Sequence, residues 1–265
     1  MKVHVLGARG STPATGAAFQ SYGGDTSCVA ISEGDAAPTL VLDAGTGLIN
    51  LTALTSPFRG TIVLTHLHWD HTHGLPFSRA VDHPEAEVRL LVPDNGEDPE
   101  LLLARAIGPP HFPIEPNELR GTWRFETLDE GTHQIEGYDL TAREVAHKGG
   151  RTFGFRVVDD SGHVFAYVPD HSPGHGDDEA MRDIASHADL LFHDSQDVES
   201  EWPDAAPFGH CTVEKTAELG LELGVARTVL FHHSPTRTDS EIDAIRDRLG
   251  DSIHGAAAQG DIYDL

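Results

Sequence analysis

An α/β layered sandwich, with two sheets inside and helices outside, is the fold class that the sequence predicts, and three observations carry the expectation. Apolar runs of strand length, cut by Gly, Pro, Asp and Asn, recur from one end of the 265 residues to the other. The early runs follow one another as antiparallel strands do, and the later ones alternate with helical patterns, which suits packed sheets covered by helices. Composition agrees: 38% apolar and 23% charged residues, with 27 Gly and 16 Pro, describe a globular chain and exclude collagen, coiled coil and disorder.

The elements follow in order. Met1–Leu6 reads as a strand broken at Gly7, and Cys28–Ile31, Leu40–Leu42 and Ile62–Leu64 as further strands, with a helix between them at Leu48–Leu54. More strands are expected at Val88–Val92, Leu140–Val145, Phe153–Val158, Val164–Val168, Leu190–Phe192 and Thr228–Phe231. Helices are expected at Pro99–Ile107, Asp177–His187, Val213–Leu223 and Ser240–Leu249. In the third, Val213, Ala217, Leu221 and Gly224 share a stripe that would pack on a sheet. Gly108–Leu119, rich in Pro, reads as a loop and a candidate lid. No repeat or linker divides the chain, so residues 1–265 are expected to form one domain.

Charge narrows the partners. Asp plus Glu number 43 against 18 Lys plus Arg, a formal net charge of −25. Such a field repels long nucleic acid and anionic membrane. It keeps the protein soluble, and adaptation to high salt is the sharper explanation, because screening relieves the self-repulsion. No apolar run approaches the ~20 residues needed to cross a bilayer. The N-terminus lacks the apolar core of a signal peptide, so a cytoplasmic protein is expected. Two distant cysteines, Cys28 and Cys211, make no disulfide framework and no CxxC pair.

Histidine, at 18 residues, is over-represented. The strand pattern Thr61–Thr65 runs directly into His66-Leu67-His68-Trp69-Asp70-His71. Alternation puts His66 and His68 on one face, and Asp70 and His71 follow as the chain turns. Imidazole nitrogen with carboxylate oxygen is the donor set of Zn²⁺ and similar ions. His147, Asp170 and His232 repeat the placement, each just past the end of an apolar run, where sites in α/β folds are built. Five His and two Asp suit two adjacent ions, with Asp170 a natural bridge.

The string His66/His68/Asp70/His71, with the later residues in order, resembles the signature of the metallo-β-lactamase superfamily, a four-layer αββα sandwich of metallohydrolases. The resemblance implies that His66, His68 and His147 hold one ion, that Asp70, His71 and His232 hold the other, and that Asp170 bridges. Leu42-Asp43-Ala44-Gly45-Thr46-Gly47 looks like the loop whose Asp supports the ligands from behind, assigning that part to Asp43. Gly7–Pro13, Tyr22–Ser27, Gly209–Thr212 and His232–Pro235 are similar to motifs of the phosphodiesterase branch that includes ribonuclease Z. The likeness spans Met1 to about His233.

Within that superfamily a small phosphodiester, such as a cyclic phosphate, is the expected substrate. Ribonuclease Z carries a long arm between the equivalents of His147 and Asp170, whereas 22 residues separate them here. A metal-bridging hydroxide is expected to attack phosphorus, with Asp70 orienting it and His210 protonating the leaving oxygen. The metals are expected to be two divalent ions, Zn²⁺ first, with Mn²⁺ or Fe²⁺ as alternatives. Thr212 is an expected N-cap whose helix could take phosphate oxygens. His111, Thr212 and His233 are candidate substrate contacts; His171 and His175 lie close after Asp170 without a settled role. A homodimer is expected by family analogy. The alternatives are a thioesterase or lactonase of the same fold and a non-hydrolytic metal-binding or iron redox protein.

Overall fold

Strands β1 (Lys2–Gly7), β2 (Cys28–Ser32) and β3 (Leu40–Leu42) pair antiparallel, and β4 (Arg59–Val63), β5 (Glu87–Pro93) and β6 (Thr122–Leu128) extend the same sheet in parallel. In this computed structural model, which describes residues 1–174, 176, 178–202 and 206–265, β14 (Ile262–Asp264) adds the far edge beside β1. The second sheet also has seven strands. Its β7 (Gly131–Ile135), β8 (Tyr138–Glu144), β9 (Phe153–Val158) and β10 (Val164–Val168) are antiparallel. Its β11 (Leu190–Asp194), β12 (Thr228–Phe231) and β13 (Gly255–Ala256) continue in parallel from β10.

Alternation along each strand sorts side chains into layers. Val63, Leu42, Val29 and Ile31 of the first sheet meet Phe155, Val157, Tyr167 and Phe192 of the second in the inter-sheet core. Phe192 stacks on Phe231 at 5.3 Å, and each buried Phe here is worth roughly 3–5 kcal/mol against truncation to Ala. The opposite faces carry Ile62, Val41 and Ala30, covered by Leu48 and Leu51 and by Leu103 of α1 (Pro99–Ala104). On the second sheet, Met181 and Ile184 of α2 (Asp178–Ala185) pack on Val168 and Leu191. Val213 and Ala217 of α3 (Val213–Glu222) join Ile242 and Ile245 of α4 (Asp239–Leu249) over Leu230. The result is the expected αββα sandwich.

Local chemistry explains the helix starts. Asp98 accepts from Glu100 N and Leu101 N at the head of α1, with Pro99 in the first turn. Thr212 caps α3, and Thr238 with Glu241 forms a capping box on α4. Three details differ from expectation. Thr46–Ala53 is a 3-10 helix rather than an α-helix. The buried stripe of α3 is Val213, Thr216, Ala217 and Gly220, and Leu221 faces out, 68% exposed. Strands β6, β7, β13 and β14 were not among the expected strands; they form the four sheet edges and lack the continuous apolar run of a strand buried on both faces. The expected helix over 177–187 begins in part outside the described residues. Cys28 and Cys211 are both buried and unpaired.

Candidate metal centre and its pocket

The sequence-predicted donors come from both sheets and meet at one edge. β4 delivers His66 and His68, and a 3-10 turn (Trp69–His71) then turns Asp70 and His71 inward. That turn is gripped from below: Ala44 N donates to His71 O at 2.8 Å, and Gly74 N donates to Ala44 O. His147 follows β8, Asp170 follows β10, and His232 follows β12. Ligand atoms of His66, His68 and His147 lie within 4.8 Å of one another, as do those of Asp70, His71 and His232, and those of His66, His71 and Asp170. Asp170 stands between the groups, Oδ2 being 3.0 Å from His71 Nε2 and 3.4 Å from His232 Nε2, and Oδ1 being 3.5 Å from His147 Nε2.

The residues behind the donors fix which nitrogen faces the centre. His66 Nδ1 meets Thr65 Oγ1 at 3.0 Å, and His147 Nδ1 donates to Gly209 O at 2.6 Å. His71 Nδ1 donates to Asp43 Oδ2 at 2.8 Å. Asp43 is fully buried and also accepts from Thr65 N, Thr65 Oγ1 and Tyr167 OH. Its backbone is left-handed (φ 60°), a conformation Asp tolerates better than most residues. Such partners lock the tautomer and aim of a ligating imidazole. Asp43 stands directly behind His71. His232 lies flat against Gly10, where a Cβ would come within 2.3 Å of Nδ1; only glycine fits.

Does this cluster fit metal ions? His66 Nε2 and Asp170 Oδ2 are buried without hydrogen-bond partners, an arrangement that burial penalises unless a further group satisfies them. Charge points the same way. Asp43, Asp70 and Asp170 converge in the interior, and together they raise His71 well above its ordinary range despite burial. Burial would raise the Asp70 and Asp170 carboxyls, but His71 and His232 hold both well below the usual range. Burial, with His71 nearby, keeps His66 neutral and thus able to donate its lone pair. Converging buried carboxylates beside an imidazole such as His66, whose lone pair is free, form the donor set that divalent cations satisfy. The donor set fits.

The cluster opens into a pocket of about 350 Å³ lined by Ser11, Leu67, His68, Asp70, Asp170 and His210, and by Trp69. His210 is at this wall, its Nδ1 3.0 Å from Asp194 Oδ2 and 3.7 Å from Asp170 Oδ1. Burial opposes its charged form, but Asp194, then Asp170 and Asp197, outweigh it and push the pKa up to about 9.

Two residues escaped sequence reasoning. Asp194 holds His210, and the rule that flagged Asp170, an acid at the end of an apolar run, would have found it. Ser11 lies within a quoted motif, and its amide donates to Asp70 Oδ2 at 2.6 Å.

Three candidate substrate contacts lie elsewhere. His233 is buried, with Nε2 on Ala257 O, because the left-handed turn at His232 (φ 57°) sends the two rings apart. Thr212 caps α3, whose Val213 and Lys215 amides are already taken by Asp197 O and Thr212 Oγ1. His111 and Phe112 of the candidate lid wall an adjoining cavity rather than covering the donors. His171 is buried behind the pocket, its amide on Asp194 and its Nδ1 2.9 Å from His193 Nε2. His175 lies outside the described residues.

Residues 39–233 match the β-lactamase superfamily domain. The chain belongs to the metallo-β-lactamase superfamily. A curated relative, the Ribonuclease Z of Thermoplasma volcanium, is 32% identical over 111 residues, which are 42% of this chain and 32% of that protein. The match thus spans about a third of the relative's length. Among solved structures, the metallo-β-lactamase fold protein YhfI from Bacillus subtilis aligns over 99% of both chains with TM-score 0.76 and 17% identity. A diphosphatase from the PhnP family aligns over 100% of this chain and 97% of its own, with TM-score 0.74 and 18% identity. No helix among the described residues is long and apolar enough to cross a membrane.

Proposed function

We propose that the protein is a dinuclear metal-dependent phosphodiesterase acting on a small, accessible diester such as a cyclic phosphate. The observation that carries the proposal is His210, an imidazole whose Nδ1 lies 3.0 Å from Asp194 Oδ2 and which stands on the wall of the pocket into which the candidate metal donors open. Diester cleavage needs a proton for the departing alkoxide, and an imidazole that a neighbouring carboxylate biases toward its charged form can give it.

His66, His68 and His147 would hold one ion, and Asp70, His71 and His232 the other, with Asp170 shared. When bound, two divalent ions, zinc first, supply Lewis acidity to the phosphoryl oxygens and make water a competent nucleophile at neutral pH. Asp70, steadied by the Ser11 amide, orients the attacking water. As the P–O bond to the leaving group breaks, His210 passes its proton to that oxygen and Asp194 keeps the ring aimed. Asp43 keeps the His71 proton on Nδ1, away from the centre.

Size and charge favour a small substrate over long RNA. The interval between His147 and Asp170 is occupied by β9 and β10 and their short connections, with no arm, and the chain carries a net charge of −25. RNA is the second reading, favoured by the name of the Thermoplasma relative. Turnover on a panel of an activated aryl diester, 2′,3′- and 3′,5′-cyclic nucleotides and a short RNA separates the two, with Asp170→Ala as control. Cleavage of a small diester by the wild type alone supports the proposal. No cleavage of any diester by protein holding two ions would move the assignment to thioesters or lactones.

A further inference from the structure

Trp69 belongs to two cavities. One is the donor pocket; the other, of about 510 Å³, is walled by Trp69, His73, Pro76, Phe77, Ile107 and Phe112. That volume suits a small organic group. Its aromatic rings form two faces, Trp69 stacked with His73 at 5.5 Å and Phe77 edge-on to Phe112 at 5.7 Å. Trp69 is 66% and Phe77 59% exposed, so large apolar rings stand in water on a protein whose surface is otherwise acidic.

Position ties this cavity to the chemistry. Within one 3-10 turn, Asp70 turns toward the donors while Trp69 turns toward solvent, so a molecule at the centre reaches the aromatic wall without leaving the surface of Trp69. Charge restricts the occupant. The one Lys or Arg among the lining residues is Arg105, and Glu97 already pairs it at 2.5 Å, which leaves no unpaired Arg or Lys for a second phosphate. Planar aromatic rings beside a neutralised cation suit an uncharged planar group.

We infer that this cavity is a subsite for a planar heteroaromatic group of nucleobase kind carried by one ester arm of the substrate, an inference that rests on the phosphodiesterase reading above. Stacking of a base on aromatic side chains should favour a base-bearing ester by roughly tenfold to a hundredfold.

Two measurements test it on metal-loaded wild type and Phe77→Ala, Phe77 being exposed enough that its removal spares the core. The first compares kcat/KM for adenosine 2′,3′-cyclic phosphate with that for methyl ribofuranoside 2,3-cyclic phosphate, which lacks only the base. The second compares calorimetric affinity for adenosine monophosphate and ribose phosphate. A wild-type preference of about tenfold or more in both, cut severalfold in Phe77→Ala, is the expected result. Equal kcat/KM for the two esters overturns the subsite and leaves the phosphodiesterase intact. If neither ester is cleaved but the Phe77-dependent preference for adenosine monophosphate persists, the subsite stands and the reaction assignment falls. Neither cleavage nor preference overturns both.

Discussion

Asp43→Asn is the sharpest perturbation the structure offers, because it keeps the shape of the side chain while removing its buried charge and one of its two acceptors. Asn tolerates the left-handed backbone of residue 43 as Asp does, so no strain is added. The carboxylate accepts on both oxygens: Oδ1 from Thr65 N at 2.8 Å, and Oδ2 from His71 Nδ1 at 2.8 Å and Tyr167 OH at 2.9 Å. An amide has one acceptor, so either orientation sets an NH₂ against a donor. If the NH₂ faces His71, the imidazole resolves the clash by moving its proton to Nε2, the nitrogen that points at Asp70 and Asp170. A protonated Nε2 has no lone pair for a metal. The expected loss is ~10–100-fold in metal affinity. The apoprotein should also lose about 1.5–3 kcal/mol, the worth of one hydrogen bond to a charged group. Competition against a chromophoric chelator reads the first quantity, and denaturant melts in excess chelator read the second. Two ions bound by Asp43→Asn with wild-type affinity would refute the claim that Asp43 sets the His71 tautomer.

Other outcomes are equally concrete. Asp170→Ala should abolish activity together with metal content, whereas His210→Ala should lower turnover by ~10²–10⁴-fold with metal content near that of the wild type; equal metal loss in both would make His210 a ligand or a structural residue. Burial, together with Arg9, His232 and Arg237, pulls His233 down to about 3 against its Ala257 bond, below the ~6.5 of an unfolded chain. The unfolded state therefore takes up the extra proton, and stability contributed above pH ~6.5 is lost as pH falls, by ~2 kcal/mol at pH 5. Denaturant midpoints in excess chelator should show that dependence reduced in His233→Gln, and an unchanged slope would exclude it. If the net charge of −25 reflects adaptation to salt, Tm should rise between low and molar KCl, and a flat Tm removes the idea.

The metal donors were legible because the sequence crowds them at strand ends, a pattern that survives without knowing any contact. His66, His68, Asp70 and His71 need only a strand and a turn to come together, and β4 with its 3-10 turn provides both. What stayed hidden depends on three-dimensional detail. Asp194 ends an apolar run as Asp170 follows one, but its bond to His210 shows only in the fold. His232 and His233 are neighbours of the same type, and a single left-handed φ decides which faces the centre. Thr212 was legible as a cap, but the prior claims on the α3 amides by Asp197 and Thr212 itself were not. Strands β6 and β7 were missed because edge strands, wetted on one side, lack the continuous apolar run that marks a buried strand. Trp69 carries no role in the sequence pattern, and its exposure marks it as a surface for something else.

The donors are split between the two sheets, and His232 follows His71 by 161 residues. During synthesis the ribosome therefore releases four of the candidate ligands long before the fifth, sixth and seventh exist. A nascent chain holding an ion on His66, His68, Asp70 and His71 alone would have the wrong coordination, and its first sheet would lack the partner that buries it. Closing so long a loop is slow. The full donor set exists only once both sheets have formed, so the expected order of maturation is sandwich first and ion second. Refolding in chelator followed by metal addition should recover more intact protein than refolding with the ion present throughout.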